Sequence, residues 1–112
     1  MEAGFLNDLD VEVLGNNQFK LKRPLSYKTN QFDHQHNIIT IPKGFVTNFA
    51  SFILIKFGEK SATLHDYLYS IKIKRPLADK IFLEALKSED VSFASRWACY
   101  IGVRLFGWGY YY

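Results

Sequence analysis

Cysteine is almost absent from this chain of 112 residues, because Cys99 is the only one. A single cysteine excludes an intramolecular disulfide, and small secreted scaffolds normally need several. We therefore expect a reducing compartment or a virus particle. The opening stretch MEAGFLNDLDVEV is acidic and has no apolar run, so we expect no signal peptide. No stretch approaches the ~18 consecutive apolar residues of a membrane-spanning helix.

The chain also lacks repeats, low-complexity segments and any linker rich in proline, glycine or serine, which predicts a single domain over residues 1–112. Its net charge of +3 is too small to indicate nucleic-acid binding by itself. Aromatic residues, in contrast, make up 17% of the chain, and ten of them are phenylalanine. Together with a hydrophobic fraction of 48%, this composition indicates a globular protein with a core built largely of rings.

The first half of the chain, about residues 9–50, predicts a small antiparallel β part. Apolar and polar residues alternate in VEV (11–13), the residues GNN supply a turn, and FKL (19–21) alternates on the return. Pro24 is expected to end that strand. The β-branched run NIITI (37–41) predicts a third strand.

The second half of the chain predicts three helices, so the fold class is expected to be α+β. The expected bounds of these helices are about 62–71, 76–88 and 93–106. Ser61 and Ser92 are predicted caps of the first and third helices, because a serine hydroxyl can accept a bond from a first-turn amide. Pro76 suits the first position of the second helix.

A histidine and two aspartates stand out within the first two helices. His65 and Tyr69 lie four residues apart on one stripe of the first helix, and Asp66 is turned about 100° away from His65. On the second helix, Asp79 lies within or at the edge of an apolar arc, whereas Glu84 and its neighbours Lys80 and Lys87 are expected in solvent. A carboxylate in an apolar arc needs a partner. His65 is the obvious candidate if the two helices run antiparallel.

Such a pair is open to several interpretations. A histidine held by an aspartate through one ring nitrogen can use the other nitrogen as a general base. Asp66, on a different side of its helix, would then be available to hold a cation. Alternatively, a buried bond between His65 and Asp79 only holds two helices together, or the polar groups are simply exposed on helix surfaces. The residues by themselves leave these alternatives open.

The order A-x-x-H-D-x-x-Y, a loop and then A-D-x-x-F, over about residues 59–86, resembles secreted-type phospholipases A and the lipase domain of parvovirus capsids. This resemblance implies that His65 is a base, Asp66 a calcium ligand, Asp79 the group that orients the histidine, and Tyr69 the support of Asp79. The glycine-rich loop Y-x-G-x-G that supplies further calcium ligands in those families is absent from this sequence. We therefore expect calcium binding to be weak and expect no other cofactor.

The stretches PKGFVTNFASF, HDYLY, ADKIFLEAL and RWACYIGVRLFG look like an uncharacterised protein family of tailed phages and prophages. Its usual pattern is G-F-x-T-D-x-A-S-V-P, then H-D-x-x-Y, then A-D-x-x-F. The resemblance implies no activity, but it marks six further motif positions: Gly44, Phe45, Thr47, Asn48, Ser51 and Arg96. Asn48 stands where the family usually has aspartate. An asparagine still accepts hydrogen bonds but contributes no charge.

Two weaker candidates remain from the residues alone. His34 and His36 would point to one face of a strand beside Asp33, as in a zinc site, but no cysteine or third histidine is placed to complete it. A solvated loop is the simpler interpretation of that stretch. Cys99 is expected to be a small buried apolar group inside the third helix.

Basic and aromatic residues suggest partners. Lys72, Lys74 and Arg75 can contact phosphate from lipid or nucleic acid, although a solvated loop is the default interpretation. The aromatic tail FGWGYYY (106–112) suits a membrane interface, a groove in a partner, or packing back across the sheet.

The leading hypothesis is a phage-type accessory protein with a phospholipase-like His–Asp hydrolase site that acts on an ester or an amide. The rival hypothesis is a non-enzymatic binding protein, either a virion component or an inhibitor of a host defence system. The expected partners are a host or phage protein, or lipid, and nucleic acid is not expected. The expected location is the host cytoplasm or the virion.

Overall fold

The computed structural model describes residues 3–15, 18–31, 37–47 and 59–106. Six short strands precede three helices, which confirms the predicted α+β class. The strands are β1 (Gly4–Phe5), β2 (Val11–Gly15), β3 (Gln18–Leu21), β4 (Leu25–Lys28), β5 (Ile38–Ile41) and β6 (Val46–Thr47). The helices are α1 (Glu59–Ser70), α2 (Arg75–Ser88) and α3 (Phe93–Phe106).

The described strands form two antiparallel sheets of three strands, in the orders β1-β4-β5 and β2-β3-β6. The predicted hairpin is the β2–β3 pair, in which Val11 lies opposite Leu21. Strand β4 was not predicted: Pro24 was expected to end the preceding strand, and no strand was assigned to the residues directly after it. Proline cannot continue a ladder but is well suited to precede a strand. The next four residues alternate strictly in burial, and this period of two is the signal that was missed.

The core lies between the β1-β4-β5 sheet and the helices α1 and α2. Leu25 pairs with Ile41, and Tyr27 pairs with Ile39, so four buried side chains share one face of the sheet. The buried helical residues of the same cluster are Leu64, Leu68, Tyr69, Ala78, Ile81 and Ala85. Burial of these apolar side chains is the main force that holds the helical half against the sheet.

The helix starts show which capping predictions hold. Ser92 does cap α3, because its Oγ accepts a bond from the amide of Ser95 at 3.3 Å. Pro76 is the second residue of α2 rather than the first. The predicted cap at Ser61 is wrong: α1 already includes Glu59, and Ser61 is a buried residue inside the helix.

Helix α2 is the central element of the helical half, since it packs against α1, α3 and strand β1. Its apolar arc is buried as predicted, and Asp79 is buried within it. Glu84 is half-buried and bonded to the β part, so its predicted position in solvent is wrong. None of the described helices is long and apolar enough to cross a membrane.

Candidate functional site

The carboxylate of Asp79 is the acceptor around which the site is built. His65 Nε2 lies 2.8 Å from Asp79 Oδ1, and the Tyr69 hydroxyl donates to the same oxygen at 2.6 Å. The predicted contacts of Asp79 with His65 and with Tyr69 are therefore confirmed. Both donors come from α1 and lie four residues apart, which places them on one stripe facing α2.

Two arginines complete this network. Arg104 of α3 donates from Nη1 to Asp79 Oδ2 at 3.1 Å, so the second carboxylate oxygen is bonded as well. Arg75 donates from Nε to the Tyr69 hydroxyl at 3.4 Å and from Nη2 to the carbonyl of Arg104 at 3.0 Å. One buried carboxylate thus ties α1, α2 and α3 together.

Charge and burial act against each other at Asp79. Burial raises the pKa of Asp79, but the hydrogen bonds from His65, Tyr69 and Arg104 outweigh burial, and the net pKa lies below the ordinary value of 3.8. The carboxylate is therefore ionised at neutral pH. Burial and the bond to Asp79 raise the pKa of Tyr69 to about 12, so its hydroxyl stays protonated and donates.

The histidine ring is enclosed by other rings. Its centroid lies 4.1 Å from that of Tyr69 and 4.7 Å from that of Phe82. The exposed fraction is 3% for His65 and 0% for Asp79. The pair is therefore held in a fixed orientation with very little access to solvent.

Asp66 lies on a different side of α1, as predicted, and contacts the β part. Thr47 Oγ1 donates to Asp66 Oδ2 at 2.5 Å. Two motif residues position this threonine: Gly44 adopts a φ of 92°, which favours glycine, and Phe45 packs edge-on against Tyr67 at 5.4 Å. The G-F-x-T motif therefore fastens strand β6 to the first helix.

Among the described residues, the oxygen atoms around Asp66 do not supply the set of ligands that a calcium site needs. Calcium prefers ~6–8 oxygen ligands, and one oxygen of Asp66 already accepts the Thr47 hydroxyl. The described parts of the chain contain no group of three or more histidine, cysteine, aspartate or glutamate residues able to hold a metal. Calcium binding at Asp66 stays a prediction.

The remaining candidates lie apart from Asp79 or outside the described residues. Arg96 donates to the carbonyl of Val91 at 3.5 Å and lies over the Phe93 ring, so it stabilises the start of α3. Cys99 is half-buried against the cluster that includes Phe82, and burial raises the pKa of its thiol. The candidates outside the described residues are Asp33, His34, His36, Asn48, Ser51 and the tail 107–112.

The polar contacts of two glutamates were not predicted from the sequence. Glu84 accepts bonds from the Tyr27 hydroxyl at 2.7 Å and the Thr29 hydroxyl at 2.8 Å, which joins α2 to the end of β4. Glu89 accepts both the amide and the hydroxyl of Ser61, at 2.7 and 2.5 Å. Arg104, too, was not singled out, because only the packing of α3 brings it beside Asp79.

Comparison with known proteins agrees with the expectation of an uncharacterised family. Residues 19–103 match the family described as "Protein of unknown function (DUF1353)". The chain belongs to this family. The match covers most of the β part and the site residues His65, Tyr69, Arg75 and Asp79, and it ends one residue before Arg104. No curated protein and no solved structure gives a significant match to the chain.

Proposed function

We propose that this DUF1353 protein is a phage-type hydrolase whose base is His65. The observation that supports this proposal is the convergence of His65, Tyr69 and Arg104 on the carboxylate of Asp79. A charged carboxylate on one ring nitrogen fixes the ring and stabilises the imidazolium that forms when the other nitrogen takes a proton.

The reaction is hydrolysis of an ester or an amide. His65 takes a proton from water, whose oxygen attacks the substrate carbonyl, and the proton then passes to the leaving alcohol or amine. Asp79 is a positioning residue in this scheme, and Tyr69 supports its orientation. The site would act in the host cytoplasm or in the virion.

A second candidate function follows from burial. His65 is 3% exposed, and each buried side-chain nitrogen or oxygen among the described residues has a partner. A network that is closed in this way also suits a non-enzymatic binding protein, such as a virion component or an inhibitor of a host defence system. In that case the His–Asp pair only holds the helices together.

Hydrolysis assays separate the two candidates. Wild type is assayed on a simple ester, an amide and a phospholipid, with and without calcium, beside His65→Ala and Asp79→Asn. Lys80→Ala, an exposed position next to Asp79 on the same helix, is the matched control. We expect Asp79→Asn to retain its helical circular dichroism but to lose about 10⁴-fold in kcat, since the imidazole loses its orienting charge. Wild type that hydrolyses none of these substrates would defeat the enzyme proposal.

A further inference from the structure

Helix α3 turns an apolar face to solvent. This face, called the α3 face below, consists of Phe93, Ala94, Trp97, Ala98, Ile101 and Leu105, and each of these residues is exposed. The exposed fractions reach 67% at Phe93, 52% at Ile101 and 61% at Leu105. The opposite side of α3 is the one that packs, because Cys99 contacts the cluster of Phe82, Leu86 and Val91. Contiguous exposed apolar patches of this kind usually mark an interaction surface.

The charged residues of α3 itself have one sign, whereas Glu89 and the exposed Asp90 lie before its N-terminal end. From Val91 to Tyr112 the sequence contains two arginines and no acidic residue. At the C-terminal end of α3, Arg75 donates to the carbonyl of Arg104 at 3.0 Å, which brings the loop before α2 against this end of the helix. That loop adds the exposed Lys72 and Lys74. The apolar face therefore ends beside a basic cluster.

We infer that the α3 face docks on an anionic lipid bilayer. Apolar and aromatic residues on one face with basic residues beside them are the pattern of helices that lie in a membrane interface. The Trp97 ring, next to Phe93 at 6.1 Å and Tyr100 at 5.5 Å, suits the boundary between headgroups and acyl chains. The basic cluster would contact lipid phosphate while the α3 face is buried among the acyl chains.

A second copy of the chain fits this surface less well. In a pair of α3 helices the charge of Arg104 is already compensated by Asp79, but Arg96 of each copy would find no acidic residue on the other α3. An anionic bilayer removes the same apolar area from water and is attracted by the same charges. The inference does not rest on the proposed hydrolysis, because binding is measured without turnover.

Vesicle binding tests the inference on the full chain. The Trp108→Phe variant leaves Trp97 as the single tryptophan, so its emission reports on the α3 face. With vesicles of phosphatidylserine and phosphatidylcholine, we expect a blue shift and quenching by brominated lipid. With phosphatidylcholine alone, and at high salt, binding should be weaker, because the charge attraction is lost or screened.

Two variants and two controls locate the surface. Ile101→Ser should lower the affinity for anionic vesicles about tenfold or more, since one buried apolar side chain is lost. Val13→Ser, at a 70% exposed position on β2, should not change it. Lys74→Glu should lower the affinity about tenfold. Lys43→Glu, the same charge change on the exposed turn before β6, should have little effect.

Several results would overturn the inference. Equal binding to both kinds of vesicle, or equal binding by Ile101→Ser and Val13→Ser, would exclude the α3 face as an anionic-lipid surface. A dimer in sedimentation that Ile101→Ser dissociates, with no vesicle binding, would assign the face to a second copy. A monomer that binds neither kind of vesicle would also overturn it. Circular dichroism and urea midpoints confirm that each variant is folded.

Discussion

Two carboxylates of α2, Asp79 and Glu84, accept bonds in different surroundings. Asp79 faces the other helices and is bonded to His65, Tyr69 and the charged Arg104. Glu84 faces the end of β4, and its donors among the described residues are neutral: the Tyr27 and Thr29 hydroxyls, the Asn30 amide and the Gln31 side chain.

The difference lies in what each carboxylate does for its donors. Asp79 places a fully buried negative charge beside a histidine and an arginine, so its charge acts on both of these side chains. Glu84 is half-buried and supplies oxygens to a chain turn, so it positions the β part against α2. Helix α2 therefore joins two polar networks, and of these two the network at Asp79 is the one that contains a histidine and an arginine.

Removal of the buried charge should have the largest effect on stability. Asp79→Ala leaves Arg104 without its carboxylate and takes the acceptor from two buried donors. We expect the free energy of unfolding to fall by roughly 3–5 kcal/mol, chiefly because His65 and Tyr69 lose their buried acceptor at about 1–3 kcal/mol for each donor, whereas Arg104 is 38% exposed and can be solvated. Urea denaturation measures this, with Lys80→Ala as the control. A loss below about 1 kcal/mol would show that water or rearranged side chains replace the carboxylate.

The sequence predicts the part of this network that depends on helical periodicity. His65 and Tyr69 share a stripe, and Asp79 interrupts an apolar arc, so their meeting follows from two amphipathic patterns. Arg104 could not be predicted, because its contact with Asp79 depends on how α3 crosses α2. Helix α3 itself was predicted with its bounds and its cap, but its orientation was not. Periodicity identifies an apolar face without saying whether that face is covered.

The β part shows the same limit. The hairpin of β2 and β3 follows from alternation around a turn, whereas β4, which begins directly after Pro24, was not predicted. Without β4 there was no partner for Glu84, and a glutamate on the outer half of a helix was assigned to solvent. The angular position of a residue on a helix gives the direction of its side chain. Only the tertiary fold determines which groups that side chain contacts. The catalytic role of His65 and the cation at Asp66 depend on access and ligands, and they stay predictions.

The network at Glu84 should be weaker than that at Asp79, because its donors are neutral. Glu84→Ala leaves the fully buried hydroxyls of Tyr27 and Thr29 without this acceptor, and we expect a loss of roughly 2–3 kcal/mol. Tyr27→Phe in the Glu84→Ala background removes one orphaned donor and should recover part of the loss. A double-mutant cycle in urea measures the coupling. Additive losses would mean that Tyr27 and Glu84 do not interact in solution.

The smallest expected effect belongs to a third carboxylate, Glu89, just after α2. Burial raises its pKa above the ordinary value of 4.5, although the amide and the hydroxyl of Ser61 both donate to it. A carboxyl whose folded pKa is raised contributes stability below its unfolded pKa, and this contribution is lost as the pH rises through the folded pKa. The charged form of Glu89 is thus tolerated rather than favoured by the fold.

Glu89→Gln keeps an oxygen acceptor for Ser61 and removes the charge. We expect this variant to be more stable than wild type at about pH 7, by up to ~1 kcal/mol, and equal to it at about pH 4. Urea unfolding at the two pH values measures the difference, and Glu12→Gln, at an exposed position on β2, is the control. If Glu89→Gln were instead less stable at the higher pH, the charge would stabilise the fold. Glu89 would then resemble Asp79, whose bonds outweigh its burial, and the contrast among the carboxylates would rest on Glu84 alone.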